Sequence, residues 1–175
     1  DDPHLWLAPA NARAMVDAIA AVLVEIDPER EALYRINAEQ TRQRINALDS
    51  SVRQRLEPVK SLPYLVFHDA YQHFEQAFEL HPVGSIVLDP EHRPGARRLA
   101  SARQGVSEQN VRCIFSEPQF RSSVVDVIVE GSGARHGVLD PVGSDLSPGP
   151  DLWFELMENL TDSLLSCLAP SKQGP

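Results

Sequence analysis

From residue 59 onward the chain alternates short β-rich runs with amphipathic helical stretches, and no other feature limits the possible folds as strongly. The pairs are 64–67 with 69–78, 83–88 with 94–103, 111–115 with 121–130, and 137–139 with 151–168. Strands separated by whole helices cannot close as tight hairpins, so they imply βαβ crossovers and a parallel sheet with helices packed on its faces. The expected fold is α/β, an open four-stranded, mainly parallel sheet flanked by helices. The tail 169–175, built of Pro, Ser, Lys, Gln and Gly after its first residue, is expected to fray.

Residues 1–58 have a different texture. Between Pro9 and Ile26, Met15, Val16, Ile19, Ala20, Val22 and Leu23 spread over nearly two helical faces, which predicts a helix mostly covered by other structure. Asp27-Pro28-Glu29 then reads as a helix start, with Asp as the capping oxygen, Pro at the first position and Glu at the positive end of the dipole. The helix it opens runs to Pro58 and carries one thin apolar line, Tyr34, Ala38, Ile45, Leu48, Val52 and Leu56, among Arg, Gln, Asn and Glu. Roughly 30 residues at ~1.5 Å each make a rod of about 45 Å with one narrow buried edge. That is a strut. The chain therefore divides at Glu57-Pro58 into a helical segment, 1–58, and an α/β lobe, 59–175.

Charge and cysteine usage narrow the classes of function. Sixteen Lys plus Arg against twenty-five Asp plus Glu leave a net charge of −9, a field that repels phosphate backbones and argues against nucleic acid as a partner. The longest apolar run, 18–24, is far short of the ~18 residues a membrane span needs. The opening Asp1-Asp2-Pro3-His4 has neither a basic nor an apolar leader region, and a start without Met favours removal of preceding sequence. Cys113 and Cys167 form no C-x-x-C pair, so they read either as two buried thiols or as one bridge in an oxidising compartment.

Ligands of an open parallel sheet collect beyond the carboxyl ends of its strands. Those positions here hold His68, Glu117 and Asp140. Imidazole and carboxylate without thiolate suit a borderline divalent cation, with nitrogen favouring Zn²⁺ and oxygen favouring harder ions such as Mn²⁺. Each residue also has a plainer reading: His68 as a hydrogen-bonded strand end, Asp140 as a turn former before Pro141, Glu117 as a buried acceptor. His4 lies just ahead of the first helix. His73, His81, His92 and His136 read as helix, loop, loop and strand-start residues. Gly131-Ser132-Gly133 precedes a strand and lacks the spacing of a dinucleotide loop or a nucleophile elbow. Arg42, Arg44, Arg53 and Arg55 read as a solvated face.

Four spaced stretches in order are more specific. Asp2-Pro3-His4-Leu5-Trp6-Leu7, Phe67-His68-Asp69-Ala70-Tyr71, Phe115-Ser116-Glu117-Pro118-Gln119-Phe120 and Leu139-Asp140-Pro141-Val142-Gly143 resemble the zinc-specific substrate-binding proteins of bacterial ABC transporters, the ZnuA family. The resemblance spans Asp2 to Leu168. It implies a periplasmic receptor of two lobes joined by a long helix, with zinc held between them for delivery to a membrane permease. It makes His4 and His68 two of three zinc-binding histidines and places Asp140 at the acidic position that completes the site in manganese-binding relatives. Those relatives usually carry Glu where this sequence has His68, so the resemblance and ligand softness agree on zinc. It also pairs Cys113 with Cys167 in a disulfide, worth ~4 kcal/mol on the chain-entropy estimate.

Nothing matching the family's N-terminal lobe stands before Asp1, so the resemblance makes the chain a C-terminal part. Three further expectations come from that: a missing ligand from the other lobe, zinc binding weaker than that of an intact receptor, and self-association through an uncovered first helix. A reading from another class is a metal-dependent hydrolase with Asp140 or Glu117 as general base. A third is an interaction module built on the strut.

Overall fold

The computed structural model describes residues 2–87, 95–120 and 123–169, and four parallel strands form its centre. They are β1 (Tyr64–His68), β2 (Pro82–Val87), β3 (Cys113–Ser116) and β4 (Arg135–Val138), in the spatial order β2-β1-β3-β4. The sheet is wholly parallel. The expected strands at 111–115 and 137–139 are displaced by about one or two residues, because the hydrogen-bonded register starts at the Cys113–Arg135 pair. The expected residues Leu88, His92, Pro94, Arg121 and 170–175 lie outside the described residues.

Among the described residues six α-helices accompany the strands: α1 (Pro9–Ile26), α2 (Glu31–Leu56), α3 (Gln72–Phe78), α4 (Ala96–Glu108), α5 (Ser123–Val129) and α6 (Leu152–Leu168). Side chains alternate across the pleat, so Tyr64, Val66, Cys113 and Phe115 face one core and Leu65, Phe67 and Ile114 face the other. The first core is completed by Leu48, Val52 and Leu56 of α2, Phe74 of α3, and Met157 and Leu160 of α6. The second is closed by Val106 of α4 and by Val125 and Ile128 of α5. Burial on both faces explains why β1 and β3 read as unbroken apolar runs.

The strut is α2, 26 residues and so about 39 Å long, preceded by a 3₁₀ turn at Pro28–Arg30. Asp27 does not cap it. Its carboxylate accepts the Tyr34 hydroxyl at 2.9 Å and pairs with Arg30 at 3.2 Å, while Arg30 occupies the capping position. The arginine row is also less solvated than expected. Arg55 pairs with Glu158 and Asp162 of α6, and Arg44 pairs with Asp151 and lies 3.9 Å over the Phe154 ring. These contacts fasten the C-terminal half of the strut to the lobe.

The expected cover over α1 is absent among the described residues. Only Pro9 and Ala12 of α1 are buried, whereas Ile19 is 59% and Ile26 73% exposed. One flank of α1 packs on α2, joined by Arg13 to Asn46 and Asp49 and by Arg42 to Asp17.

Cys113 and Cys167 form a disulfide with Cα atoms 6.1 Å apart, tying the first residue of β3 to α6. Beside it, Gly137 of β4 allows a close approach. A Cβ there would meet the buried Phe115 ring at 2.5 Å and Cys167 Cβ at 3.2 Å, and neither can retreat from a packed core next to a covalent bridge. Gly137→Ala is expected to cost about 1–3 kcal/mol by overpacking. Urea unfolding would measure it, and a variant as stable as the parent would show that β4 can move away freely.

Candidate metal centre

The chain order reverses between β1 and β3: after β1 the chain crosses to β2 on one side, and β3 leads to β4 on the other. Such a switch point leaves a crevice beyond the strand ends. His68 is the last residue of β1. In the β1–β3 register Val66 faces Phe115, so two residues further on Glu117 falls opposite His68. His68 Nδ1 donates to Glu117 Oε1 at 2.8 Å, and the Glu117 side chain is 2% exposed. Glu117 is thus a buried acceptor, in keeping with its plainer reading, and its partner is the neighbouring histidine.

His4 arrives from the other end of the chain. Pro3, with its fixed φ, starts a tight turn in which Leu5 N–H bonds Pro3 O at 2.8 Å and Leu7 N–H bonds His4 O at 3.1 Å. The turn sends Leu7 into the first core, fully buried, and lays Trp6 against the lobe. Trp6 Nε1–H donates to Pro141 O at 2.9 Å, and Trp6 O accepts Trp153 Nε1–H at 2.8 Å. His4 then stands beside His68, with ring centroids 5.3 Å apart and planes at 64°.

The environment of His4 mirrors that of His68. Its Nδ1 donates to Asp2 Oδ1 at 2.6 Å, and the Asp2 side chain is 1% exposed. Asp2 is itself held by the Gln72 backbone N–H at 3.1 Å and, through its carbonyl, by His73 Nε2 at 3.0 Å. Both imidazoles therefore have Nδ1 committed to a buried carboxylate. Among the described residues neither Nε2 has a hydrogen-bond partner, so Nε2 is the nitrogen each ring has left for a metal. A carboxylate behind each imidazole fixes its tautomer and orientation. Sequence reasoning misses Asp2 in this role; its one signal is position, two residues before a candidate ligand.

Asp140 is on the same rim but in a different role. Its Oδ1 accepts Gln119 Nε2 at 2.6 Å and Val142 N–H at 3.1 Å; its Oδ2 accepts Ser144 N–H at 2.6 Å and Ser144 Oγ at 2.8 Å. Burial raises its pKa, but the Ser144 and Gln119 side chains and the two backbone N–H groups outweigh that and hold it below the usual carboxylate value. Among the described residues no cluster of three or more His, Cys, Asp or Glu side chains is arranged to hold an ion. The other described histidines stand apart from the pair: His73 binds backbone, His81 is exposed, and His136 lies within β4 with Nε2 2.8 Å from Ser116 Oγ.

Under the rim, Glu75 of α3 is buried and accepts the Tyr64 hydroxyl at 2.9 Å. Burial pushes its pKa up to about 7, opposed by the Tyr64 bond and reinforced by Asp69 and Asp2. A carboxyl raised in the folded state favours folding when protonated. Its contribution is complete below the ordinary value of 4.5 and is lost as pH rises toward and through 7. Glu75→Gln, which still accepts from Tyr64, is expected to remove about 2–3 kcal/mol of the stability difference between pH 4.5 and pH 8. Denaturant titrations of both proteins at the two pH values would test it; parallel pH slopes would refute it.

An α/β lobe with an imidazole pair at a topological switch point is the class of protein this arrangement defines. Comparison with known proteins agrees. The family model described as "Zinc-uptake complex component A periplasmic" matches residues 1–167, and the chain belongs to that family. It is 44% identical over 168 residues to the high-affinity zinc uptake system protein ZnuA of Brucella suis biovar 1, covering 96% of this chain and 50% of that protein. The chain thus spans about half the length of the curated relatives it matches. Among solved structures, a mutant of the laminin-binding adhesin Lmb of Streptococcus agalactiae superposes with a TM-score of 0.84 at 26% identity, covering 95% of this chain and 63% of that one. The Zn(II)-bound AdcAII E280Q variant of Streptococcus pneumoniae superposes with a TM-score of 0.75 at 28% identity, covering 93% and 60%.

Proposed function

We propose that this chain is the lobe and strut of a periplasmic zinc receptor that captures Zn²⁺ and hands it to an ABC-transporter permease. The observation that carries the reading is the His4–His68 pair, each ring braced at Nδ1 by a buried carboxylate. An ion about 2.0–2.1 Å from a nitrogen of each ring, at a tetrahedral angle, puts the two ring centroids about 5 Å apart, which the 5.3 Å separation matches. Neutral nitrogen donors favour zinc over harder ions. The names of the relatives, zinc uptake in Brucella suis and a Zn(II)-bound protein in Streptococcus pneumoniae, support the same cargo.

Two imidazoles alone are a partial shell, so tight capture needs at least one further ligand, a water or a side chain from another lobe of the receptor. Of the three candidate ligands in this chain the two histidines carry the reading, whereas Asp140 has both oxygens committed to donors. The mechanism is binding and release without bond-making. A hydrolase would need a free general base beside the ion, and Glu117 is committed to His68 as Asp140 is to its loop.

Zinc titration of the chain against a competing chelator tests the site. His68→Ala should abolish specific binding. Glu117→Gln should weaken it about tenfold or more, because its role is to orient a ligand. Equal affinity in parent and His68→Ala would overturn the assignment.

In isolation the uncovered apolar face of α1 and α2, with Ile19, Val22, Ile26 and Ile36 each more than half exposed, associates with a second copy of this chain. Sedimentation should show concentration-dependent dimers that Ile19→Lys with Ile26→Lys dissolves. A monomer at all concentrations would refute that part alone.

A further inference from the structure

We propose that Asp140 is a positioning residue for His4, acting through the 140–144 loop and the Trp6 indole, and is not itself a metal ligand. The inference rests on the zinc reading only in calling His4 a ligand; the positioning is a property of the metal-free chain.

The loop is closed by its own carboxylate. Asp140 Oδ1 takes the Val142 N–H, and Oδ2 takes both the N–H and the hydroxyl of Ser144, so the anion gathers the backbone of the following four residues around itself. Gln119 adds a fourth donor from the segment that follows Glu117. With four donors on two oxygens, coordination of an ion would require surrendering bonds that hold the loop shut. Within that loop Pro141 is buried, and its carbonyl is the acceptor for Trp6 Nε1–H at 2.9 Å. The Trp6 ring meets the His4 ring edge to face, with centroids 5.2 Å apart. The path from Asp140 to His4 is therefore loop, carbonyl, indole, imidazole, each step a contact.

His68 lies beside that path and meets it only at its far end, the His4 ring, 5.3 Å between centroids. Its orientation comes from β1 and from Glu117, and Tyr71, close behind it in sequence, bonds Leu139 O at 3.1 Å from the other side. Leu139 is in turn pinned by its N–H to Ser116 O at 2.9 Å, independently of the Asp140 side chain. The molecule thus contains its own control: disturbing the Asp140 carboxylate should loosen His4 more than His68, which keeps its own bond to Glu117.

The test is NMR of the metal-free 175-residue chain, following the imidazole Nδ1–H protons of His4 and His68. In Asp140→Asn the His4 proton should exchange with solvent about tenfold faster or more and the Trp6 indole N–H should shift, while the exchange of the His68 proton changes much less. Ser144→Ala keeps the whole carboxylate and loses one loop donor, so it should move His4 in the same direction to a smaller extent. Unchanged signals at both histidines in both variants would overturn the proposal, as would equal loss at both, which would mark a general structural role. A second arm uses Co²⁺ as the probe. Asp140→Asn should lower occupancy while leaving the visible bands in place; a band shift would show loss of a bound carboxylate and also overturn it. If the parent chain takes up no Co²⁺ or Zn²⁺, the zinc reading fails, and the metal-free arm still decides the positioning role.

Discussion

The insertion of Leu7 and Trp6 into the lobe is the contact on which the candidate site depends. His4 and His68 are separated by the whole of α1 and α2, a helical hairpin with a long path between its ends. Only a strong local anchor can return the opening turn to the end of β1. Complete burial of Leu7 supplies it: a fully buried Leu is worth roughly 1.5–3 kcal/mol. The two indole hydrogen bonds convert that nonspecific attachment into a fixed orientation, because each N–H has one carbonyl to satisfy.

Parallel topology supplies the other half of the site. A switch point between β1 and β3 opens a crevice, and the register of those strands places a carboxylate beside the histidine at its edge. Asp2 provides the equivalent carboxylate for His4 by a short local turn. Two unrelated backbone routes thus arrive at one chemical unit, imidazole with its inner nitrogen on a buried carboxylate. That unit leaves Nε2 as the available donor and limits the ring rotation that would otherwise cost entropy on binding.

The alternation of strand and helix is legible in the sequence because both faces of the sheet are buried, which writes β1 and β3 as apolar runs between amphipathic helices. The thin line on the strut is legible for the same reason: Ala38, Ile45, Leu48, Val52 and Leu56 are its buried residues. Edge strand β4 is harder to place, since its residues Arg135, His136, Gly137 and Val138 carry little apolar signal and its position is set by pairing with β3. The expected Asp27 cap does not form because Tyr34, seven residues on, offers its hydroxyl as a competing donor. Strand ends alone point to the rim residues His68, Glu117 and Asp140, but whether a carboxylate braces an imidazole or a loop depends on register and turn geometry, which sequence spacing does not encode.

The two ends of the strut have opposite surroundings, and that contrast bears on the whole. Its C-terminal half is sealed into the lobe by apolar burial and fastened by Arg44 and Arg55 to α6 and its first turn. Its N-terminal half carries Leu33 and Ile36 half-exposed beside the exposed Ile19, Val22 and Ile26 of α1. A contiguous apolar patch on an otherwise strongly charged chain is costly to leave in water, and it lies at the far end of a rigid rod from the histidine pair. A rod with both ends buried in separate bodies would transmit a change at one body to the other as a rotation, because a straight helix about 39 Å long bends little. His4 stands at the turn that leads into α1, so on the proposed zinc reading a movement of that turn on binding an ion would be carried along the helical hairpin toward that apolar face.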